Sequence, residues 1–419
     1  MDKILTKKLQ TQLSHYFSLA QGMTKPELRT FKDMVLGVLK SKTVFVNQIA
    51  ASLREPLRLK DVTKRLSAQY LKEDYADKVL EAHLETSCKG VRDYDFIIMD
   101  GTDISKKHAK YMEGLEFVRN GDTSEIGLGY NVLNINAVGL DREITPLYSK
   151  AYSYEMGALS SNNEIKKAVT QTNVHLQDKG CWVFDRGADN EILKDFFFSE
   201  SSKCIIRLKQ STKLIYKGEE LKVSQIAHKM SFTFSQTVTK IKKDKKVLET
   251  YELGAVRVSY SSKGRTHLLW LVVSRNRKHG GLCYLLVKSP IETPIEIANW
   301  AFKGYGLRWK IEEYHRHIKQ EYKLEDIQIK TFVGLQSMLA ILTVTMFFIY
   351  KKIQSMHISL LLDAGYDYLN KHTITELTNF IYYKISKVVA NLLMPVRVRW
   401  KINSSPPDLF PGQIKLELI

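Results

Sequence analysis

Two short apolar runs, each followed at once by an aspartate, constrain the fold of this chain most. Phe96–Met99 in "YDFIIMDGTD" leads to Asp100, and Cys181–Phe184 in "CWVFDRG" leads to Asp185. Continuous apolar runs of this length are typical of strands that are buried on both faces of a sheet. We therefore predict two buried strands, each of which ends at its aspartate.

The elements around these two runs follow the order of an α/β fold. "YNVLNINAVGL" and "REITPLYSKAYS" are predicted strands after the first run, and a helix capped by Ser160 or Ser161 precedes the second run. A helix near Asn190–Ser199 and the strand "CIIRLK" come next. Three antiparallel strands, helix, strand, helix, strand is the order of a ribonuclease-H-like fold. We predict a mixed-sheet catalytic core of that kind.

The remaining segments differ from this core in composition. In the N-terminal part, Thr24 and Glu27 have the spacing of a helix-capping box, and two further short amphipathic segments follow. This pattern suits a helix-turn-helix-like DNA-binding domain, although any small helical bundle would have it too. We predict five parts: 1–92 as the helical DNA-binding domain, 93–209 as the first part of the catalytic core, 210–290 as an all-β insertion, 291–350 as the rest of the core, and 351–419 as a helical C-terminal region and tail.

The charge of the chain predicts a polyanionic partner. Lys and Arg number 63 against 45 for Asp and Glu, which gives a formal net charge of +18 over 419 residues. Nucleic acid is the first candidate and an anionic membrane surface the second. The four cysteines are far apart and form no CxxC pair, which favours a reducing cytosol. Phe332–Tyr350 approaches membrane-spanning length, but it contains polar residues, and we predict a buried core helix and no membrane span.

A third acid is found in "YGLRWKIEEYHRHIK". Tyr305, Arg308, Glu312 and Lys319 are separated by three, four and seven residues, so they share one face of a helix, whereas Glu313 points about 100° away. Glu312 is therefore the predicted partner of the two strand-end aspartates. Three carboxylates at one point repel each other unless cations lie between them, and such oxygen ligands suit Mg²⁺ or Mn²⁺. Two ions about 3.5–4 Å apart could act on a phosphodiester.

Each of these acids also has an ordinary interpretation. Asp100 could cap the turn that follows it, with Asp103 as the ligand instead. Asp185 could belong to a salt-bridged turn, and Glu312 could be one of many solvated charges on a helix. Their joint occurrence, in this order and on these elements, favours the functional interpretation.

The Tyr305, Arg308, Glu312, Lys319 spacing resembles the Y-R-E-K signature of bacterial insertion-sequence DDE transposases of the insertion-sequence-four family. "MDGTD" and "FDRGADN" are similar to the regions around the first and second aspartates of that family, so the resemblance covers roughly residues 95–350. It implies that Asp100, Asp185 and Glu312 are catalytic metal ligands. It also implies that Tyr305, Arg308 and Lys319 contact DNA phosphates. Trp270 either stacks a displaced base or is a plain core tryptophan.

The same resemblance implies a function. It is metal-dependent cleavage of transposon-end DNA and strand transfer into target DNA, with two Mg²⁺ (or Mn²⁺) ions per active site. Its partners would be double-stranded terminal repeats and target DNA, with a homodimer in the paired-end complex and no small-molecule substrate. The expected location is the bacterial cytoplasm, at the nucleoid. The alternatives are a metal-dependent nuclease on the same fold and a catalytically silent DNA-binding regulator.

Two further surfaces are assigned from the sequence. The basic loops Lys242–Lys246 and Arg275–Lys278 are expected to hold the DNA backbone. Residues Ile374–Met394 contain an apolar stripe that suits either a dimer interface or the core of the chain.

Overall fold

The structure is a computed structural model that describes residues 2–106, 108–119, 121, 125–200, 202–242, 245–357, 359–360 and 381–397. Within these residues a mixed sheet of 12 strands runs through the protein. The strands are β1 (Phe96–Ser105), β2 (Glu116–Arg119), β3 (Ile126–Val138), β4 (Ile144–Tyr152), β5 (Cys181–Phe184), β6 (Lys203–Arg207), β7 (Lys213–Tyr216), β8 (Glu219–Lys222), β9 (Phe234–Lys242), β10 (Lys245–Ser262), β11 (Arg265–Asn276) and β12 (Leu282–Lys288).

Helices precede the sheet, interrupt it and follow it. They are α1 (Asp2–Ser18), α2 (Lys25–Ser41), α3 (Val46–Ser52), α4 (Leu59–Tyr70), α5 (Tyr75–Ser87), α6 (Ser161–Leu176), α7 (Glu191–Ser199), α8 (Val223–Lys229), α9 (Pro294–Gly306), α10 (Trp309–Gln320), α11 (Phe332–Phe347) and α12 (Ile381–Leu393). The chain is therefore an α/β protein with helices towards both ends, as predicted.

The part of the sheet that follows the N-terminal helices has the order β4-β3-β1-β5-β6. β3 is antiparallel to both β4 and β1, whereas β5 is parallel to β1 and β6 is parallel to β5. The strands and helices expected here are confirmed, including Ser160 as the cap of α6, where its hydroxyl accepts from the Asn163 N–H at 3.1 Å. The short strand β2, which pairs with the start of β3, was not predicted.

Burial on both faces explains the two apolar runs. Alternate residues of β1 pack into two separate hydrophobic clusters, with Phe96 and Ile98 in one and Ile97 and Met99 in the other. One prediction about β1 is wrong, because the strand continues through Asp100 to Ser105. Its pairing with β5 stops at Ile98, but its ladder with β3 carries on, and that ladder keeps the backbone extended.

The predicted β-rich insertion extends this same sheet. β12 pairs antiparallel with β6, and β11 and β10 follow it in turn. The predicted β-rich character is confirmed for residues 234–288, where β9, β10, β11 and β12 lie. The all-β description is wrong in one respect, because the helix α8 (Val223–Lys229) lies within the segment.

The long apolar helix α11 forms the centre of the helical part. It packs against β4 of the sheet and against α2 and α5 of the N-terminal region. In the described residues, Phe332–Lys352 is the one helical stretch that is long and apolar enough to cross a membrane, and 83% of its most apolar window is buried inside the protein. This agrees with the predicted core helix.

The C-terminal stripe is described only in part. In α12, Ile385 and Val389 are fully buried in the same hydrophobic cluster as α11, and α12 packs on α2. This portion of the stripe therefore belongs to the core of the chain. Residues 374–380 and the tail with Pro406, Pro407 and Pro411 lie outside the described residues.

Candidate active site

Asp100 and Asp185 lie level with each other on neighbouring parallel strands. Ile98 of β1 is opposite Val183 of β5, and each aspartate follows its member of this pair by two residues. The sheet itself therefore brings the two carboxylates level with each other, just past the end of the β1–β5 pairing, although Asp100 lies within β1 and not at its end. Asp185 also accepts the backbone N–H of Gly187 at 2.7 Å, and this bond orders the short turn after β5.

Glu312 reaches the same place from α10. This helix packs across β1 and β3, and it carries Glu312 in its first turn. The adjacent acid, Glu313, turns to Lys310 instead, at 2.7 Å. The structure thus places Glu312, and not Glu313, beside the strand aspartates.

Arg308 bridges the two acids. Its Nη1 donates to Asp100 Oδ2 at 2.6 Å, and its Nη2 donates to Glu312 Oε1. The guanidinium is mostly buried, with 18% of the side chain exposed. One planar cation therefore lies between two carboxylates that would otherwise repel each other.

The spacing predicted that Tyr305, Arg308, Glu312 and Lys319 lie on one helix. This prediction is wrong, because the structure has two helices here. Tyr305 is in α9, which ends at Gly306, while Arg308 immediately precedes α10. The backbone keeps right-handed helical angles at Leu307 and Arg308, the two residues between these helices. Despite this break, Arg308 and Glu312 lie on one face and their side chains form a hydrogen bond.

The pKa of Asp100 reflects its crowded surroundings. Burial raises this pKa, the Arg308 guanidinium lowers it, and the charges of Asp185 and Glu312 raise it again, to about 6. An aspartate normally titrates near 3.8. The mutual influence of these groups is what a cluster of three acids around one cation produces.

Arg207 is a site residue that the sequence reasoning missed. β5 and β6 are parallel with Phe184 opposite Ile206, so Arg207 lies level with Asp185 at the same edge of the sheet. Arg207 Nη1 donates to the Tyr305 hydroxyl at 3.3 Å, and its guanidinium lies 5.8 Å from the centre of that ring. The strand-end argument used for the aspartates would have found Arg207 had it been applied to "CIIRLK".

Lys319 lies further along α10 and is already paired with acids. Its Nζ is 3.4 Å from Asp103 Oδ1 and 3.0 Å from Glu325 Oε1, and the side chain is 13% exposed. Asp103, the alternative ligand, is therefore held by Lys319 rather than by Arg308. Its second carboxylate oxygen is buried without a hydrogen-bond partner.

Trp270 is buried in β11, with 4% of the residue exposed. Its indole N–H donates to the carbonyl of Ile291 at 2.9 Å, and the guanidinium of Arg257 lies 4.0 Å from the centre of the ring. These contacts are those of a core tryptophan with one face under an exposed arginine. A base could stack on this ring only after Arg257 had moved.

The basic loops are described unequally. At the end of β11, Arg275 pairs with Glu252 at 2.7 Å, while the side chain of Arg277, in the turn that follows, is 71% exposed. The Lys242–Lys246 turn lies outside the residues whose side chains the structure describes. Its predicted role with the DNA backbone remains a prediction.

Comparison with known proteins returned no relative. No protein-family model matches the chain, and no curated protein matches it. The function must therefore be argued from the site itself.

Proposed function

We propose that this protein is a DDE transposase that cuts the DNA ends of its own element and joins them to target DNA. One observation carries the proposal. Asp100 and Asp185 lie level on neighbouring parallel strands, and Arg308 ties Glu312 to Asp100 from a helix that crosses the sheet. Three acids from three separate elements thus lie near one another in a chain of net charge +18, which suits a phosphodiester substrate.

The topology supports a ribonuclease-H-like core. The sheet has the order β4-β3-β1-β5-β6, in which β4, β3 and β1 are antiparallel neighbours and β5 and β6 run parallel to β1. Apart from the short strand β2, the elements follow one another along the chain as the sequence predicted: three strands, helix, strand, helix, strand. The strands after residue 210 extend the sheet on the β6 side, whereas α10 packs on β1 and β3.

The donor set fits Mg²⁺ or Mn²⁺. Asp100, Asp185 and Glu312 offer hard carboxylate oxygens, and two of them already share a cation in the form of Arg308. Among the described residues, no three His, Cys, Asp or Glu side chains lie close enough together to form a ready metal-ligand cluster. When bound, two such ions would activate the attacking oxygen and stabilise the leaving oxygen at phosphorus.

The two arginines of the site and Tyr305 would bind phosphate, whereas the acids would bind the metal ions. Arg207, Tyr305 and Arg308 line the same edge of the sheet as the acids, where they would hold the phosphates beside the reacting bond. Arg308 is the key member, because it can release the carboxylates and take a phosphate oxygen in their place. Lys319 would contribute once it left Asp103 and Glu325.

The proposal includes the partners and the location expected from the sequence. The protein would bind double-stranded terminal repeats through its N-terminal helices, and it would be a monomer when free and a dimer on paired ends. Two subunits that each carry +18 repel each other until DNA neutralises them. The nucleoid of the bacterial cytoplasm is the corresponding location.

A strand-joining assay tests the function. Purified protein is incubated with terminal-repeat DNA and a target plasmid, with Mg²⁺, with Mn²⁺ or with chelator. We expect nicking and joining with either ion, and losses of at least 100-fold for Asp100→Ala, Asp185→Ala and Glu312→Ala. Asp95→Asn is the matched control, because Asp95 is ion-paired with Arg92 on the approach to β1, away from the three acids.

The outcomes separate the alternatives. Metal-dependent cleavage without joining would indicate a nuclease. DNA binding without any turnover would indicate a regulator. Wild-type joining activity in all three alanine variants would overturn the assignment of the site.

A further inference from the structure

We propose that Asn134 and His315 form a positioning pair that fixes α10, and with it Glu312, against the strand that carries Asp100. The proposal rests on the proposed function and adds two residues to it. Neither residue is expected to touch DNA or an ion. Their role is to set the distance between two elements that each supply an acid.

The register of the sheet places Asn134 beside the site. Asn134 of β3 is the direct cross-strand neighbour of Asp100 in β1, so the two side chains lie on the same face of the sheet. His315 follows Glu312 by one turn of α10 and therefore faces the same way. Asn134 Nδ2 lies 3.2 Å from His315 Nε2. Two connections thus join the sheet to α10. Arg308 links Asp100 to Glu312, and Asn134 bonds directly to His315.

The burial of Asn134 is energetically unfavourable unless its hydrogen bond to His315 has a role. The residue is completely buried, and its carbonyl oxygen has no hydrogen-bond partner. A buried amide with an unpaired oxygen is costly, and an apolar residue would fill the same place in the sheet without that cost. The bond to His315 is the one hydrogen bond of this side chain in the described residues.

The chemistry of His315 suits an acceptor. Burial, together with the positive charges of Lys319 and Arg308, lowers its pKa to about 3. The ring is therefore neutral at neutral pH, and its Nε2 can accept from the amide. A neutral ring adds no charge beside the three acids, so it can hold the helix without disturbing them.

His317 provides a matched control on the same helix. It is also fully buried and neutral, since burial lowers its pKa to about 3. It bonds to Tyr350 Oη at 2.9 Å and to Ser386 Oγ at 3.2 Å, away from the sheet edge that bears the acids. A change at His317 tests what the loss of any buried histidine from α10 does.

The experiment compares His315→Phe, His315→Gln and His317→Phe in the full chain, with Asn134→Ala alone and combined with His315→Phe. Three quantities are measured: the single-turnover joining rate, the Kd for terminal-repeat DNA, and the affinity of DNA-free protein for Mn²⁺ by electron paramagnetic resonance. We expect His315→Phe to lower the joining rate on the order of 100-fold and Mn²⁺ affinity about tenfold, because a misplaced acid weakens both. DNA affinity should stay within about twofold.

Three further results support the pair. His315→Gln, whose amide oxygen can accept from Asn134, should keep most of the single-turnover joining rate. Asn134→Ala should add little to His315→Phe, because either change removes the same bond. His317→Phe should lower thermal stability while keeping the joining rate of the folded protein.

Other results would overturn the proposed role of Asn134 and His315. Equal losses of rate and Mn²⁺ affinity in His315→Phe and His317→Phe would overturn the pair, since both would then act through stability alone. An unchanged His315→Phe would overturn it too. A wild-type protein that binds Mn²⁺ but joins no DNA would refute the proposed function, and Mn²⁺ affinity in the variants would still decide the role of His315.

Discussion

Arg308 holds Asp100 through a charged hydrogen bond of 2.6 Å, and with its other terminal nitrogen it holds Glu312. The two acids come from a strand and a helix that are far apart in the chain. The guanidinium is therefore the direct physical link between them in the DNA-free protein. Its planar fork allows each nitrogen to serve a different carboxylate, which a lysine cannot do.

The first prediction concerns this fork. Arg308→Lys keeps the charge but provides one ammonium centre in place of two separated donors. We expect the single-turnover joining rate to fall about 10- to 100-fold, since Asp100 and Glu312 lose their common support. Lys310→Arg is the control, because Lys310 pairs with Glu313 on the neighbouring face. Similar losses in both variants would show that any change at this end of α10 is harmful.

The second prediction is that Asp100→Asn stabilises the protein at pH 7. The folded pKa, about 6, is above the ordinary value of 3.8, so the folded state binds the proton more tightly than the unfolded state. The stability of the wild-type protein therefore rises as pH falls from about 6 to about 4, and at pH 7 the ionised acid costs about 1–3 kcal/mol of folding free energy.

Urea unfolding at pH 7 and at pH 4.5 measures this effect. Asp100→Asn should exceed wild type at pH 7, and the difference should shrink at pH 4.5. Asp95→Asn should be less stable than wild type, because it loses the ion pair with Arg92 at 3.0 Å. Destabilisation of both variants by the same amount would contradict the assigned pKa of Asp100.

The third prediction concerns Glu27, whose side chain is 3% exposed. Its pKa is lowered by folding, whereas that of Asp100 is raised. Burial raises its pKa, but hydrogen bonds from the Thr24 N–H at 2.8 Å and from Lys78 at 3.1 Å lower it to about 2. The stabilisation is present above the ordinary value of 4.5 and is lost as pH falls towards 2. We expect Glu27→Gln to cost about 2 kcal/mol at pH 7 and less at pH 3. Circular dichroism during thermal unfolding at the two pH values checks it, and an equal cost at both would count against an ionic origin.

The fourth prediction concerns the two interpretations of Trp270. Its burial and its bond to Ile291 predict that Trp270→Ala costs about 3–5 kcal/mol of unfolding free energy. Trp270→Phe, which keeps most of the volume but loses the indole donor, should cost about 1–2 kcal/mol. Unfolding in guanidinium chloride measures both. If neither variant were destabilised, the ring would not be part of the core.

The sequence predicted the elements of the site better than their exact ends. The apolar runs before Asp100 and Asp185 predicted two buried strands, since strands buried on both faces need such runs. The extension of β1 past Asp100 could not be predicted, because it depends on the ladder with β3, whose partner residues are not adjacent in sequence. The break before Arg308 could not be predicted either, since the sequence spacing of Tyr305, Arg308 and Glu312 does not distinguish one continuous helix from two helices separated by Leu307 and Arg308.

Contacts between distant segments were the hardest to predict. The bond of Asn134 to His315 joins residues that no local pattern connects, and only the register of β3 against β1 brings them together. The pairing of Lys319 with Asp103 and Glu325 is of the same kind. The residue types of the site were readable from the sequence, whereas the choice of partners required the tertiary structure.

The strands that extend the sheet beyond β6 separate Asp185 from Glu312 along the chain, although both acids lie near Asp100 in the folded protein. During synthesis, residues 186–311 leave the ribosome after the second aspartate and before the third acid. β6, β12, β11 and β10 can therefore pair before α10 arrives, and long-range pairing of this kind is slow. A nascent or truncated chain that ends within this stretch would fold much of its sheet and yet be unable to cut DNA.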